Sequence, residues 1–194
     1  MKFAMRFLTV TALVLGTAGT ATAANLLVNP DFDSDLANWN PTNASQGTAT
    51  FDGSDGSPSA GSVLFTGVAC CTVQVLQCVA VSAGQSYDFG AVLKQGPVAP
   101  GQAGDGMGID VTWYDAANCS GSDLATDTLA PSVTTSWVRY AKGNVVAPPG
   151  AQSASYRIRQ YNFAGLTNLT SHADHAFFGA SGTVPVELQS FNVD

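Results

Sequence analysis

Short stretches in which every second residue is apolar recur along this chain, and they limit what it can fold into. In "SYDFGAVLK", Tyr87, Phe89, Ala91 and Leu93 share one parity, with Asp88, Gly90, Val92 and Lys94 on the other. In "GIDVTWYD", Ile109, Val111 and Trp113 alternate with Asp110, Thr112 and Tyr114. In "SYRIRQY", Tyr156, Ile158 and Gln160 alternate with Arg157, Arg159 and Tyr161. A period of two puts one parity on each face of a strand, whereas no window keeps the three-and-four spacing of an amphipathic helix. Between these stretches lie loop signals, "DGSDGSPSAG", "QGPVAPGQAGDGMG", "NCSGSD" and "VAPPGAQ". Strands with one apolar face, separated by long polar loops, predict an all-β, two-sheet antiparallel β-sandwich.

The first residues are not expected to belong to that fold. "MKFAMRFLTVTALVLGTAGTATAA" places Lys2 and Arg6 ahead of an apolar core, Phe7 to Leu15, and ends in the small residues Ala21-Thr22-Ala23. This is the pattern of a secretory signal, and the core is shorter than the roughly 20 residues a membrane span needs. Residues 1–24 are therefore read as the signal, 25–181 as one domain, and 182–194 as a last strand or a tail. An exported, soluble, monomeric protein is expected, extracellular or periplasmic. Without Lys2 and Arg6, five basic residues face fourteen acidic ones, a formal charge of −9. Such a surface repels nucleic acid and anionic lipid, whose binding rests on clustered Lys and Arg.

Four cysteines in an exported chain point to disulfides, and four allow three pairings. Cys78 and Cys119 lie on segments that can run side by side, which favours their pairing. Cys70 and Cys71 are then a vicinal bridge or free thiols.

Catalytic patterns are missing. Glu187 is the only glutamate, and no pair of carboxylates stands out as the acid and base of a glycoside hydrolase. There is no nucleophile elbow and no phosphate-binding loop. In "HADHAFF" the two histidines, His172 and His175, sit on a strand-like segment, so one is expected at the surface and one against the core.

"NLLVNPDFDSDLANW" opens the domain with an apolar run, expected to be the first strand, followed by Asp31, Asp33 and Asp35. An EF-hand loop starting at Asp31 needs Gly at its sixth position and Glu at its twelfth, and finds Leu36 and Thr42. Another calcium arrangement stays open, in which an aspartate of "PDFDSD" meets Asp174 while "FDGSDGS" adds carbonyls and Asp52 or Asp55. Plain turn chemistry, in which Asp and Asn bond to nearby backbone, explains the same residues.

Taken in order, these segments resemble the carbohydrate-binding modules of the family 4/9 type. "NLLVNPDFDSDLANW" is similar to that family's opening, "GQSYDFGAVLK" to its central strand, and "HADHAFFGA" stands where the family has an Asp-Asp-Val strand. "GIDVTWYDAANC" and "TTSWVRYAKGNVVAPPGAQSASYRIR" extend the likeness to about residue 181. The resemblance implies a jelly-roll sandwich of the galactose-binding-like class and non-catalytic binding of a polysaccharide or cell-surface glycan through a groove or concave sheet face. It also implies a structural calcium held by Asp33 and Asp174, with Asp31 and the loop containing Asp52 completing the shell. Asp33 replaces a glutamate of the family pattern, and His175 an aspartate. Trp39, Trp113 and Trp137 match packing positions and are expected in the core. Lys94, Asp110, Tyr114, Arg157, Arg159 and Tyr161 point away from it and are the glycan-binding candidates. The other function expected of such a sandwich is a structural or adhesive one without sugar affinity.

Overall fold

The computed structural model describes residues 25–42, 45–67, 72–96, 106–162 and 169–183. The signal segment, Cys70, Cys71 and the tail from residue 184 lie outside the described residues. The strands are β1 (Asn40–Thr42), β2 (Gly47–Asp52), β3 (Ser62–Gly67), β4 (Thr72–Ala80) and β5 (Ser86–Gln95). They continue as β6 (Gly106–Tyr114), β7 (Asp123–Leu129), β8 (Val138–Val146), β9 (Ser153–Tyr161) and β10 (Leu169–Ala180). A front sheet runs β1-β4-β9-β6-β7 and a back sheet β2-β3-β10-β5-β8, with every pair antiparallel. The chain crosses between sheets repeatedly, after β3, β5, β7 and β9 among others. That exchange makes the sandwich a jelly roll.

The period-two parity decides which residues meet in the middle. Tyr87, Phe89, Ala91 and Leu93 from the back sheet face Ile109, Val111, Trp113, Tyr156 and Ile158 from the front, and all are buried. Phe178 of β10 sits among rings from both sheets, with centroids 5.1 Å from Tyr87, 5.9 Å from Trp113 and 6.3 Å from Tyr156. Such pairs contribute about 0.5–1.5 kcal/mol each beyond the area they bury. The Tyr156 hydroxyl also crosses the sandwich, donating to the Gly90 carbonyl at 2.7 Å. At the open edge, Asp127 of β7 accepts from Trp113 Nε1 and from Lys142 of β8, both at 2.9 Å, so one carboxylate clasps the two sheets.

Four expectations need correction. The run from Asn25 is not the first strand; β1 begins at Asn40. Its backbone makes one strand-like bond, from Leu26 N–H to the Phe178 carbonyl of β10 at 2.8 Å, and then turns to a side chain: Gln77 Oε1 accepts from Val28 N–H, and Gln77 Nε2 donates back to the Val28 carbonyl. Positive φ at Asn29 (52°) and Phe32 (46°) breaks any extended run. Trp39 and Trp113 are core residues as expected, but Trp137 precedes β8 and lies on the outer side of the back sheet against His172. Neither histidine is in the core. The register of β10 against β5 shifts between Asp174 and Phe177, and His175 there has a φ of 49°. His172, ahead of the shift, is turned outward by plain alternation opposite Lys94, and the irregularity turns His175 out as well, leaving the two side chains 13 % and 28 % exposed. Lys94, fourth, belongs to the back sheet, away from the other glycan candidates.

Cys78 and Cys119 are joined, as their segments suggested. The bond ties the turn after β6 back to β4, closing 41 residues. Phe178→Ala should lower the stability of the sandwich by about 3–5 kcal/mol, since its cavity would open between both sheets; urea unfolding followed by tryptophan fluorescence measures it.

Candidate functional site

The outer face of the front sheet is built by the residues that alternation turns away from the core. On β6 these are Gly106, Gly108, Asp110, Thr112 and Tyr114, and on β9 Ser153, Ser155, Arg157, Arg159 and Tyr161. The register sets Asp110 directly between Arg157 of β9 and Thr128 of β7, and Gly108 opposite Arg159. Gln74 and Leu76 of β4 extend the same rows.

Asp110 is almost fully buried (1 % exposed), and a carboxylate withdrawn from water must be paired. Arg159 supplies most of the pairing. Its Nη2 donates to Oδ1 at 2.9 Å while its Nε lies 2.8 Å from Oδ2. Thr128 Oγ1 adds a hydrogen bond at 2.8 Å. Arg157 is held more loosely, with Nε 3.8 Å from Asp110 Oδ2 and Nη2 donating to Thr112 Oγ1 at 3.2 Å. Removing Arg159 would strand a buried charge, a change that costs roughly 3–5 kcal/mol. Asp110 with Arg159 is thus part of the fold, and Arg157 is the adaptable partner.

Tyr161 lies across the same face. A Cβ on Gly108 would stand 3.0 Å from ring atoms Cε2 and Cζ of Tyr161, so only glycine leaves room for the phenol there. The Arg159 guanidinium sits 4.5 Å from the ring centroid, a cation–π distance. Burial pushes the Tyr161 hydroxyl above its ordinary value, opposed by Arg159. An aromatic ring, two guanidinium forks and hydroxyls within a few strand spacings form a surface suited to a polar ligand with apolar patches. Tyr114 shares this face but is four residues beyond Asp110, ~13 Å along the strand. Thr112, Thr126 and Thr128 also line it; the alternation of "GIDVTWYD" exposes Thr112, while the two β7 threonines are placed by register that sequence does not show.

On the back sheet, Lys94 pairs with Asp55 and lies 5.1 Å from the Trp137 ring centroid. Trp137 Nε1 donates to Asp55 Oδ1 at 3.0 Å, and His172 Nε2 lies 3.1 Å from Asp52 Oδ2. Burial works against the Asp55 carboxylate, but the donors Lys94 and Trp137 hold it below the ordinary range. Asp52 is held down to about 2 by the Ser54 hydroxyl and amide. This network fastens the loop after β2 onto the sheet.

The four aspartates expected to share calcium are divided. Asp33 is exposed, and Asp52 is committed to Ser54 and His172. Asp174 is 2 % exposed and accepts from Ser57 N–H at 2.7 Å and His175 N–H at 2.6 Å. Asp31 Oδ1 lies 2.7 Å from His175 Nδ1, next to Asp174. Among the described residues no three His, Cys, Asp or Glu side chains converge where they would hold a metal. Of the four, only Asp31 and Asp174 stand near each other, both engaged with His175.

No protein-family model and no curated protein matches the chain. Solved structures similar to it include the xylan-binding domain CBM22-1 from Paenibacillus barcinonensis Xyn10C, at 15% identity and a TM-score of 0.59, covering 82% of this chain and 96% of that one. TmCBM61 in complex with β-1,4-galactotriose is 16% identical with a TM-score of 0.54, covering 81% of this chain and 99% of that one. The enzymatically active domain of bacteriophage CBA120 tailspike protein 4 is 16% identical with a TM-score of 0.60. The match covers 80% of this chain and 21% of the tailspike, so the sandwich spans about a fifth of that protein. These likenesses show the jelly-roll sandwich as the fold.

Burial, opposed by the Ser57 and His175 amides, pushes Asp174 up to about 6 from 3.8. A carboxyl that holds its proton more tightly in the folded state adds stability below its unfolded value and loses it as pH rises through about 6. Asp174→Asn should therefore flatten the stability profile between pH 4 and 6 relative to the parent, in thermal melts run with a chelator.

Proposed function

We propose that this chain is an exported, non-catalytic, monomeric carbohydrate-binding protein whose residues 25–181 form the binding domain. The front-sheet face of Tyr161, Arg157, Arg159 and Asp110 is the binding surface. The observation that carries this reading is Tyr161 laid over Gly108 beside the Arg159 guanidinium, with Arg157 farther along the same strand. A ring supplies an apolar platform for a sugar face, and the forks supply donors for its hydroxyls. The similarity of the fold to a xylan-binding domain and to a module solved with galactotriose supports it, as does the family 4/9 resemblance. Lys94, on the opposite sheet, is not part of this surface.

Binding of the purified chain to a panel of soluble and insoluble polysaccharides tests the reading. Tyr161→Ala should weaken capture by about tenfold or more, the effect of truncating an aromatic anchor. A folded chain that captures no glycan would instead support a structural or adhesive role. We also propose a structural calcium held by Asp174, Asp31 and carbonyls of the loop after β2. Saturating calcium should then raise the melting temperature, at a hundredfold excess over Kd by about 2.7 kcal/mol of added stability. Asp174→Asn should abolish that response, while a chelator should leave the parent's glycan affinity intact below the melting range.

A further inference from the structure

Resting on that reading of the front-sheet face, we infer that the glycan it takes is acidic, a polysaccharide bearing uronate carboxylates. Three observations on the face lead there. Two guanidinium groups share one carboxylate, so the cluster of Asp110, Arg157 and Arg159 carries one uncompensated positive charge. Asp110 is consumed by Arg159 and Thr128, on both of its oxygens. Arg157 is what remains: among the described residues its one hydrogen bond is to Thr112, and it stands 3.8 Å from Asp110 where Arg159 stands at 2.8 Å. A guanidinium has five donors in a planar fork that matches a carboxylate, and this one has most of them unspent.

Among the described residues, the rest of the face leaves that charge unanswered. Gln74, Leu76, Thr112, Ser155, Thr126 and Thr128 around the cluster are uncharged. Asp123 is opposite Tyr114, four β6 residues beyond Asp110 and ~13 Å away along the strand. That exceeds the screening length of about 10 Å at moderate salt. The other basic side chains of the described residues are engaged elsewhere: Lys94 with Asp55, Lys142 with Asp127, and Arg139 over Phe177 on the back sheet. A chain of formal charge −7 thus presents, among its described residues, a cation without a full counter-charge on the face that carries an aromatic platform. The overall negative charge slows the approach of an acidic polymer, but within a screening length the local guanidinium sets the affinity. Arg157 would take a uronate carboxylate bidentately while Tyr161 meets a neighbouring ring.

The test compares polygalacturonate, its carboxyl-reduced neutral form, and a sulfated neutral-backbone polymer, by calorimetry on the full purified chain. Expected are binding of polygalacturonate, weak or no binding of the reduced form, and loss of affinity at roughly 1 M salt, where screening shortens to about 3 Å. Arg157→Gln should lower affinity for polygalacturonate by about 10- to 100-fold, the worth of a hydrogen-bonded charge pair. Arg157→Lys, which keeps the charge and loses the fork, should recover part of it. Unchanged melting temperatures keep these variants interpretable, since Arg159 still pairs Asp110. Equal binding of the acidic and reduced polymers, or no effect of Arg157→Gln, would overturn the inference and leave the glycan face standing. Preference for the sulfated polymer would overturn the uronate assignment. No binding of any polymer by folded protein would overturn the glycan reading as well.

Discussion

Phe178 is the point on which the two sheets agree. Its ring touches Tyr87 of its own sheet and Trp113 and Tyr156 of the other. Tyr156 continues the contact to Trp39, whose ring stacks on Phe32. Rings this large fill the space between sheets only if each strand presents the right parity. The shift in β10 after Asp174 is what keeps Phe178 inward while Phe177 faces out under Arg139. Everything on the two outer faces inherits its position from that inner set. The outward residues of β6 and β9 are those left when Ile109, Val111, Trp113, Tyr156 and Ile158 are buried.

The outer faces do different work. On the back sheet, the charged groups near β5 and β10 are satisfied among themselves. Lys94, Asp55, Trp137, His172 and Asp52 form one closed network that holds a loop. On the front sheet the pairing is uneven, with Arg159 2.8 Å and Arg157 3.8 Å from Asp110 Oδ2. Glycine under an aromatic recurs on both: a Cβ at Gly90 would stand 2.7 Å from the Phe177 ring, as one at Gly108 would crowd Tyr161. The back-sheet ring is capped by Arg139 from β8, whereas Arg159 shares a strand with Tyr161.

How much of this is legible in the sequence depends on what sets each feature. Alternation in "SYDFGAVLK", "GIDVTWYD" and "SYRIRQY" reports burial directly, so the sandwich, its core and the common face of Arg157, Arg159 and Tyr161 can be read from it. Features set by register or by bulges cannot. Lys94 and Asp110 both point outward from sheet strands, but only the strand order separates them onto opposite faces. His175 sits in a bulge that no periodicity announces. The apolar run at Leu26–Val28 looks like a strand because it packs like one. Only Leu26 bonds a strand backbone, at Phe178; Leu27 N–H turns back to Asn25 Oδ1 and Val28 N–H goes to Gln77 Oε1, 49 residues away. Trp137 looks like a core tryptophan because size and apolarity are visible, while its acceptor, Asp55, is 82 residues distant.

The Cys78–Cys119 bond closes one end of the front sheet. Cys78 is on the outward parity of β4, opposite Ser155, and so stands on the same face as Arg157. Cys119 arrives from the turn after β6, whose amide is held by Ser153 Oγ at 2.9 Å. One end of the front face is therefore walled by a covalent link rather than by packing. In a reducing compartment that wall is an untethered turn, and the face is unfinished. Its completion requires the two thiols to be oxidised.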